Sequence, residues 1–148
     1  FEADRRHHDE LAPGAPRKHR IASIAHHHLL ALVGPHPEPP MKYLMKRNDR
    51  MPSLETTLYN GSVPLDLTAA TSVKMIAKGF GASTPKIDAA MTVVAPATGG
   101  VVRYDWLAAD TDTAGTYRLE FEVTWNTGKK QTIPNHGYDE LVITEDLG

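Results

Sequence analysis

From Tyr117 to Trp125 the chain reads Tyr-Arg-Leu-Glu-Phe-Glu-Val-Thr-Trp. Tyr117, Leu119, Phe121, Val123 and Trp125 therefore fall on one side of an extended chain, and Arg118, Glu120, Glu122 and Thr124 on the other. A period of two held over nine residues specifies a strand, because a helix would scatter the apolar set around its circumference. A strand that is apolar on one face and charged on the other must lay its apolar face against a second layer.

Shorter alternations repeat the signal. Val102, Tyr104 and Trp106 alternate with Arg103 and Asp105 after the turn Thr98-Gly99-Gly100, which joins them to a neighbouring strand at Met91 to Val94. Leu54, Thr56 and Leu58 alternate with Glu55 and Thr57 and end at Asn60-Gly61, a dipeptide suited to a tight turn. Val73 to Ala77, Gln131 to Ile133 and Leu141 to Thr144 read as further strands. Some seven or eight closely spaced strands with no helical pattern after Met41 predict an all-β, antiparallel, immunoglobulin-like β-sandwich, with a barrel as the alternative closure. Asp112-Thr113-Ala114-Gly115-Thr116-Tyr117 resembles a tyrosine corner, in which the phenol bonds upstream backbone. Leu119 stands where antibody domains carry cysteine, and the chain has no cysteine at all. Its core must rest on apolar burial, with Leu119, Phe121, Val123, Val102, Tyr104 and Leu58 as expected members.

Before Met41 the composition is different: seven of the eight histidines and six of the eleven prolines lie there. Pro35, Pro37, Pro39 and Pro40 make a stiff, non-helical spacer. Upstream, Ile21, Ile24, His28, Leu32 and Val33 share a face at helical spacing, so a short helix over 20–33 is expected, stopped by Gly34-Pro35. Residues 1–40 thus read as a poorly ordered or partly helical leader and 41–148 as the β domain. A signal peptide fits poorly, since His26-His27-His28 interrupts the apolar stretch. The abrupt change at a methionine favours Met41 as the natural start. No apolar run approaches the ~20 residues that a bilayer requires, so no membrane partner is expected. A net charge of −2 and a pI near 6.5 provide no broad positive field, which argues against sequence-independent nucleic-acid binding.

Catalytic chemistry has little to start from. Only His136 after Met41 titrates near neutrality by type, in Pro134-Asn135-His136-Gly137-Tyr138, and no nucleophile motif accompanies it. The leader histidines His7, His8, His19 and His26 to His28 suit adventitious metal affinity and lack the fixed geometry of a built site. Asp110 and Asp112 read as turn residues, and Glu120 and Glu122 beside Arg118 as the solvated face of a sheet. Trp106 and Trp125 share parity with apolar sets and read as core or core edge. Asn60-Gly61-Ser62 matches a glycosylation acceptor and is read as a hairpin turn. No enzyme activity, cofactor or metal is expected.

Four segments in order resemble the N-terminal domain of the phage baseplate upper protein family: Tyr43 to Asp49 with Pro52-Ser53-Leu54; Val63 to Ala70; Gly99 through Val102 to Trp106 and on from Asp110 to Val123; and Thr132 to Asn135 with Gly137-Tyr138. They span nearly all of 41–148 and none of 1–40. The resemblance implies a non-enzymatic virion structural protein, made in the bacterial host cytoplasm. It would act in the tail or baseplate, bind other phage virion proteins and form a homo-oligomer within the particle. Longer members continue into helical, trimerising regions. The end at Gly148 favours a short assembly module over a holder of receptor-binding proteins. The alternative function is an adhesive or carbohydrate-binding immunoglobulin-like module.

Assembly requires apolar or strand-edge groups left for a partner. Two places qualify. Met41 to Met51 combines Tyr43, Leu44 and Met45 with Lys46, Arg47 and Arg50, and the loop Gly79 to Lys86 exposes Phe80 between two glycines. Tyr43, Leu44, Met45, Arg47 and Phe80 are the candidate protein-binding residues, with packing of Tyr43 and Leu44 on their own core as the competing expectation.

Overall fold

The computed structural model describes residues 40–148. The expected leader helix and the expected boundary near residue 40 fall at or outside that limit. Among the described residues the regular structure is strand, apart from two single 3-10 turns at Ala97–Gly99 and Ala108–Asp110. The chain runs β1 (Lys42–Lys46), β2 (Leu54–Thr57), β3 (Tyr59–Asn60), β4 (Val63–Pro64), β5 (Ala70–Gly79), β6 (Ile87–Ala90), β7 (Thr92–Val93), β8 (Val101–Tyr104), β9 (Gly115–Trp125), β10 (Lys130–Ile133) and β11 (Asp139–Thr144). Eight of these have four residues or more. The fold is an all-β sandwich.

β9 organises the larger sheet. One of its edges pairs with β5 along nearly its whole length, and the other is shared, β11 pairing with its first half and β10 with its second. The order is β1-β11-β9-β5-β6, with β10 alongside β9, and a smaller sheet runs β2-β8-β7. β3 and β4 form a separate hairpin around Gly61, whose φ of +67° is the left-handed conformation that a tight turn demands.

Parity fixes the layers. Val73, Met75, Ala77, Leu119, Phe121, Val123, Leu141 and Ile143 of the larger sheet join Leu54, Leu58, Val102, Tyr104 and Trp106 in one buried cluster. All six core residues expected from the sequence are in it. Each fully buried aliphatic or aromatic side chain contributes about 1.5–3 kcal/mol. Tyr117 closes the corner as expected, its hydroxyl donating to the Thr113 carbonyl at 2.9 Å. Lys86 Nζ lies 5.9 Å from the Tyr117 ring centroid and is ion-paired with Asp112 at 2.7 Å.

One expectation needs correcting: the sandwich is not wholly antiparallel. β1 runs parallel to β11, with Tyr43 opposite Leu141 and Met45 opposite Ile143. A period of two places side chains but is silent on partner direction, and a parallel pair needs only a long connection, which the rest of the domain supplies.

Candidate protein-binding edge

β1 is an edge strand whose only ladder partner among the described residues is β11. Glu140 N donates to the Met41 carbonyl at 2.9 Å and Arg47 N to the Thr144 carbonyl at 2.8 Å. With the register known, the slanted parallel ladder turns the backbone groups of Met41, Tyr43, Met45 and Arg47 toward β11. Those of Lys42, Leu44 and Lys46 point away from the sheet. Asp49 N takes up the Lys46 carbonyl at 3.1 Å. This leaves the N–H and C=O of Lys42 and Leu44 and the N–H of Lys46 without a partner among the described residues.

Side chains alternate the other way, between inside and outside. Tyr43 and Met45 face the core: Met45 is buried, and Tyr43 sets its ring edge against Phe121 at 6.3 Å while its hydroxyl shares a 2.8 Å hydrogen bond with Thr56 Oγ1. Burial pushes the Tyr43 phenol upward, opposed by the bond to Thr56. Leu44 faces outward and is 69% exposed, between Lys42 and Lys46 on the same face. Both lysines have loose tethers, Lys42 to Glu140 at 3.9 Å and Lys46 to the Glu145 carbonyl at 3.2 Å.

The edge is held firmly at both ends. Met41 N donates to Asp139 Oδ1 at 3.0 Å, and half-burial lifts the Asp139 carboxyl above its ordinary range against that bond. Beyond β1, Asn48 N donates to the Thr111 carbonyl and Thr111 Oγ1 to the Asp49 carbonyl, each at 2.8 Å. Asp110, in the 3-10 turn just before Thr111, is buried; its Oδ2 accepts from the Tyr104 hydroxyl at 2.8 Å and from Leu107 N at 2.7 Å. Burial, and then the Asp110 carboxylate, push the Tyr104 phenol far above its usual range.

Between β1 and the β2 edge of the smaller sheet lies a groove of about 250 Å³. Lys42 to Met45 form one wall and Pro52 to Glu55 the other, with Trp106 also lining it. Trp106 is 5% exposed, packs edge-on to Tyr104 at 5.5 Å and donates Nε1–H to the Pro52 carbonyl at 3.0 Å.

The five candidate residues are thereby dispersed. Leu44 stands at the open edge, whereas Tyr43 and Met45 back the groove from inside; Met45 is corrected from surface contact to core, since its parity in β1 turns it inward. Arg47 is exposed, and its side chain is engaged within the domain: Nε donates to the Asp112 carbonyl at 3.0 Å and Nη1 pairs with Glu145 at 3.1 Å. Phe80 is 55% exposed, as expected of its loop, but not a lone hydrophobe. Tyr138 meets its ring edge-on at 5.8 Å, and the Arg118 guanidinium lies 5.2 Å from its centroid. Arg118 Nε is buried without a hydrogen-bond partner. The register sets Leu44, Val142 and Thr116 side by side on the outer face of the larger sheet, and Phe80, just beyond β5, packs on Arg118 of the same face.

Elsewhere on that face Lys74 reaches Asp88 at 3.0 Å and Glu122 at 3.7 Å, and Lys130 reaches Glu122 at 3.2 Å, beside half-buried Ile76. Trp125 is partly buried against the core, and His136 lies on an exposed loop. Among the described residues no group of three or more His, Asp or Glu is placed to hold a metal ion, and no helix is long and apolar enough to cross a membrane. The groove residues Pro52, Ser53, Glu55 and Trp106 were not expected as site residues; only the parity of Trp106 hinted at a buried position there.

The fold defines the class of this protein as an all-β sandwich. No protein-family model matches the sequence, and no curated protein matches it. Among solved structures it is similar to the crystal structure of CopC from Methylosinus trichosporium OB3b, at 10% identity and a TM-score of 0.39, over 76% of this chain and 90% of that one.

Proposed function

We propose that this chain is a non-enzymatic assembly module of a tailed-phage virion, placed in the tail or baseplate, which binds other virion proteins through the β1 edge and its groove. The observation that carries the binding part is the combination at Leu44: an apolar side chain 69% exposed on an edge strand whose outward N–H and C=O have no partner among the described residues. Lysines such as Lys42 and Lys46 guard an edge against self-pairing, while its unpaired backbone groups remain a template for a chain of matching charge. The virion part rests on the resemblance of the four segments within 41–148 to the baseplate upper protein family.

The test is to purify particles of the phage or prophage that encodes the chain on a density gradient and identify their proteins by mass spectrometry. A fixed copy number per particle is the expected result. A chain found only in the soluble lysate overturns the virion reading.

A further inference from the structure

We propose that β1 accepts an added strand: an extended segment of another protein with an apolar residue opposite Leu44, an acidic residue two positions to either side, and small apolar residues between. This rests on the assembly reading and narrows it to a binding mode and a partner chemistry.

The mode follows from the backbone. Lys42, Leu44 and Lys46 direct their main chain outward, and β1, at five residues, is the longest edge strand among the described residues. An antiparallel newcomer would use the Leu44 N–H and C=O as one closely bonded pair, with a neighbouring pair at Lys42 and the Lys46 N–H as a further donor, the Lys46 carbonyl being held by Asp49 N. Its side chains at alternate positions share the outer face with Lys42, Leu44 and Lys46, and those between turn toward the groove lined by Pro52, Leu54 and Trp106.

The chemistry follows from the lysines. Opposite charges facing each other across a strand pair stabilise it and like charges destabilise it. A second copy of β1 centred on Leu44 in antiparallel fashion would set each Lys42 against a Lys46, and in parallel register each lysine against its own counterpart. Self-pairing is thus disfavoured in both directions, which is the recognised protective use of lysine on an edge. A segment with acids at those positions converts the same two lysines from repulsive to attractive.

The experiment uses the full chain, isotopically labelled, and two capped peptides, Thr-Glu-Val-Val-Val-Glu-Thr and its counterpart with lysine for both glutamates. Amide shifts and hydrogen exchange are followed by NMR at millimolar peptide. The glutamate peptide is expected to bind at least roughly tenfold more tightly than the lysine peptide, with shifts centred on Lys42 to Lys46 and slowed exchange of the Leu44 amide. The double substitution Lys42→Glu/Lys46→Glu should invert the preference, and Leu44→Pro should abolish binding by removing the outward N–H.

Equal binding of both peptides, shifts centred elsewhere, no shift at all, or dimerisation through β1 in sedimentation each overturn the proposal. The assembly reading fails separately. If Leu44→Pro lowers incorporation into particles while the peptides show no charge discrimination, strand addition is wrong and assembly stands. If discrimination holds and the chain never enters particles, the virion reading alone is wrong.

Discussion

Replacing Asp110 tests whether its buried carboxylate organises the turn before β9. Its buried Oδ2 is the shared acceptor for the Tyr104 hydroxyl at 2.8 Å and Leu107 N at 2.7 Å, and hydrogen bonds to a charged acceptor are worth about 1.5–3 kcal/mol each. Asp110→Ala removes both at once and leaves the Tyr104 hydroxyl, on a 4%-exposed residue, without a partner. Since the two bonds share one oxygen, the losses do not add fully, and a destabilisation of about 3 kcal/mol is expected. Tyr104→Phe breaks one bond and keeps the other, so about 1.5 kcal/mol is expected. In a domain of roughly 100 residues, 3 kcal/mol lowers the thermal midpoint by about 12–24 °C. Urea unfolding of the single and double variants, followed by Trp106 and Trp125 fluorescence, supplies the cycle. The double variant should be less destabilised than the sum of the singles by about 1 kcal/mol. Asp110→Ala within about 0.5 kcal/mol of the parent, the range of an ordinary surface change, would refute the claim that this carboxylate organises the turn.

Three further outcomes are expected. Gly100→Ala should cost about 3 kcal/mol or more in urea unfolding, since φ is +70° and a Cβ there would sit 2.8 Å from the Leu58 and Leu65 carbonyl oxygens. Tyr117→Phe should cost about 1 kcal/mol by losing the 2.9 Å bond to the Thr113 carbonyl, and an unchanged urea midpoint would dismiss the corner as ornamental. In acid, bonds from Lys86 first and then Thr113 hold Asp112 below its ordinary 3.8, and bonds from Ser53 first and then Arg103 do so for Asp105. Stability from both is complete above pH 3.8 and falls as pH drops through their lower folded values, while raised Asp139 acts in the opposite sense. The urea midpoint should therefore decline below about pH 4, and less steeply for Asp112→Asn than for the parent.

The inward faces of β8 and β9 were legible because each alternates with charged or polar neighbours, and every core residue expected on them is buried. β1 was legible as an edge segment but not in its parity: Tyr43-Leu44-Met45 is a run of three apolar residues, and only register against Leu141 and Ile143 decides that the middle one faces water. The contacts of Arg47 were hidden for a related reason. Its partners, Asp112 and Glu145, are distant in sequence, so only the fold shows that this exposed cation also has contacts within the domain. The groove was invisible because Pro52 to Glu55 and Trp106 come from segments far apart in the chain. Truncating Met41 to Asn48 would remove buried Met45 and the Tyr43 bond to Thr56 along with the edge, so substitution at Leu44 separates binding from folding more cleanly.

The most direct test is incorporation of Leu44→Pro chain into assembled particles, scored against the parent protein together with the thermal midpoint of each. Proline at this outward position removes one exposed donor and spares the bonds to β11. The account predicts incorporation reduced at least roughly tenfold, with the fold retained and the midpoint within about 8 °C of the parent, a stability change near 1 kcal/mol. A folded variant that enters particles at the parental level would contradict it.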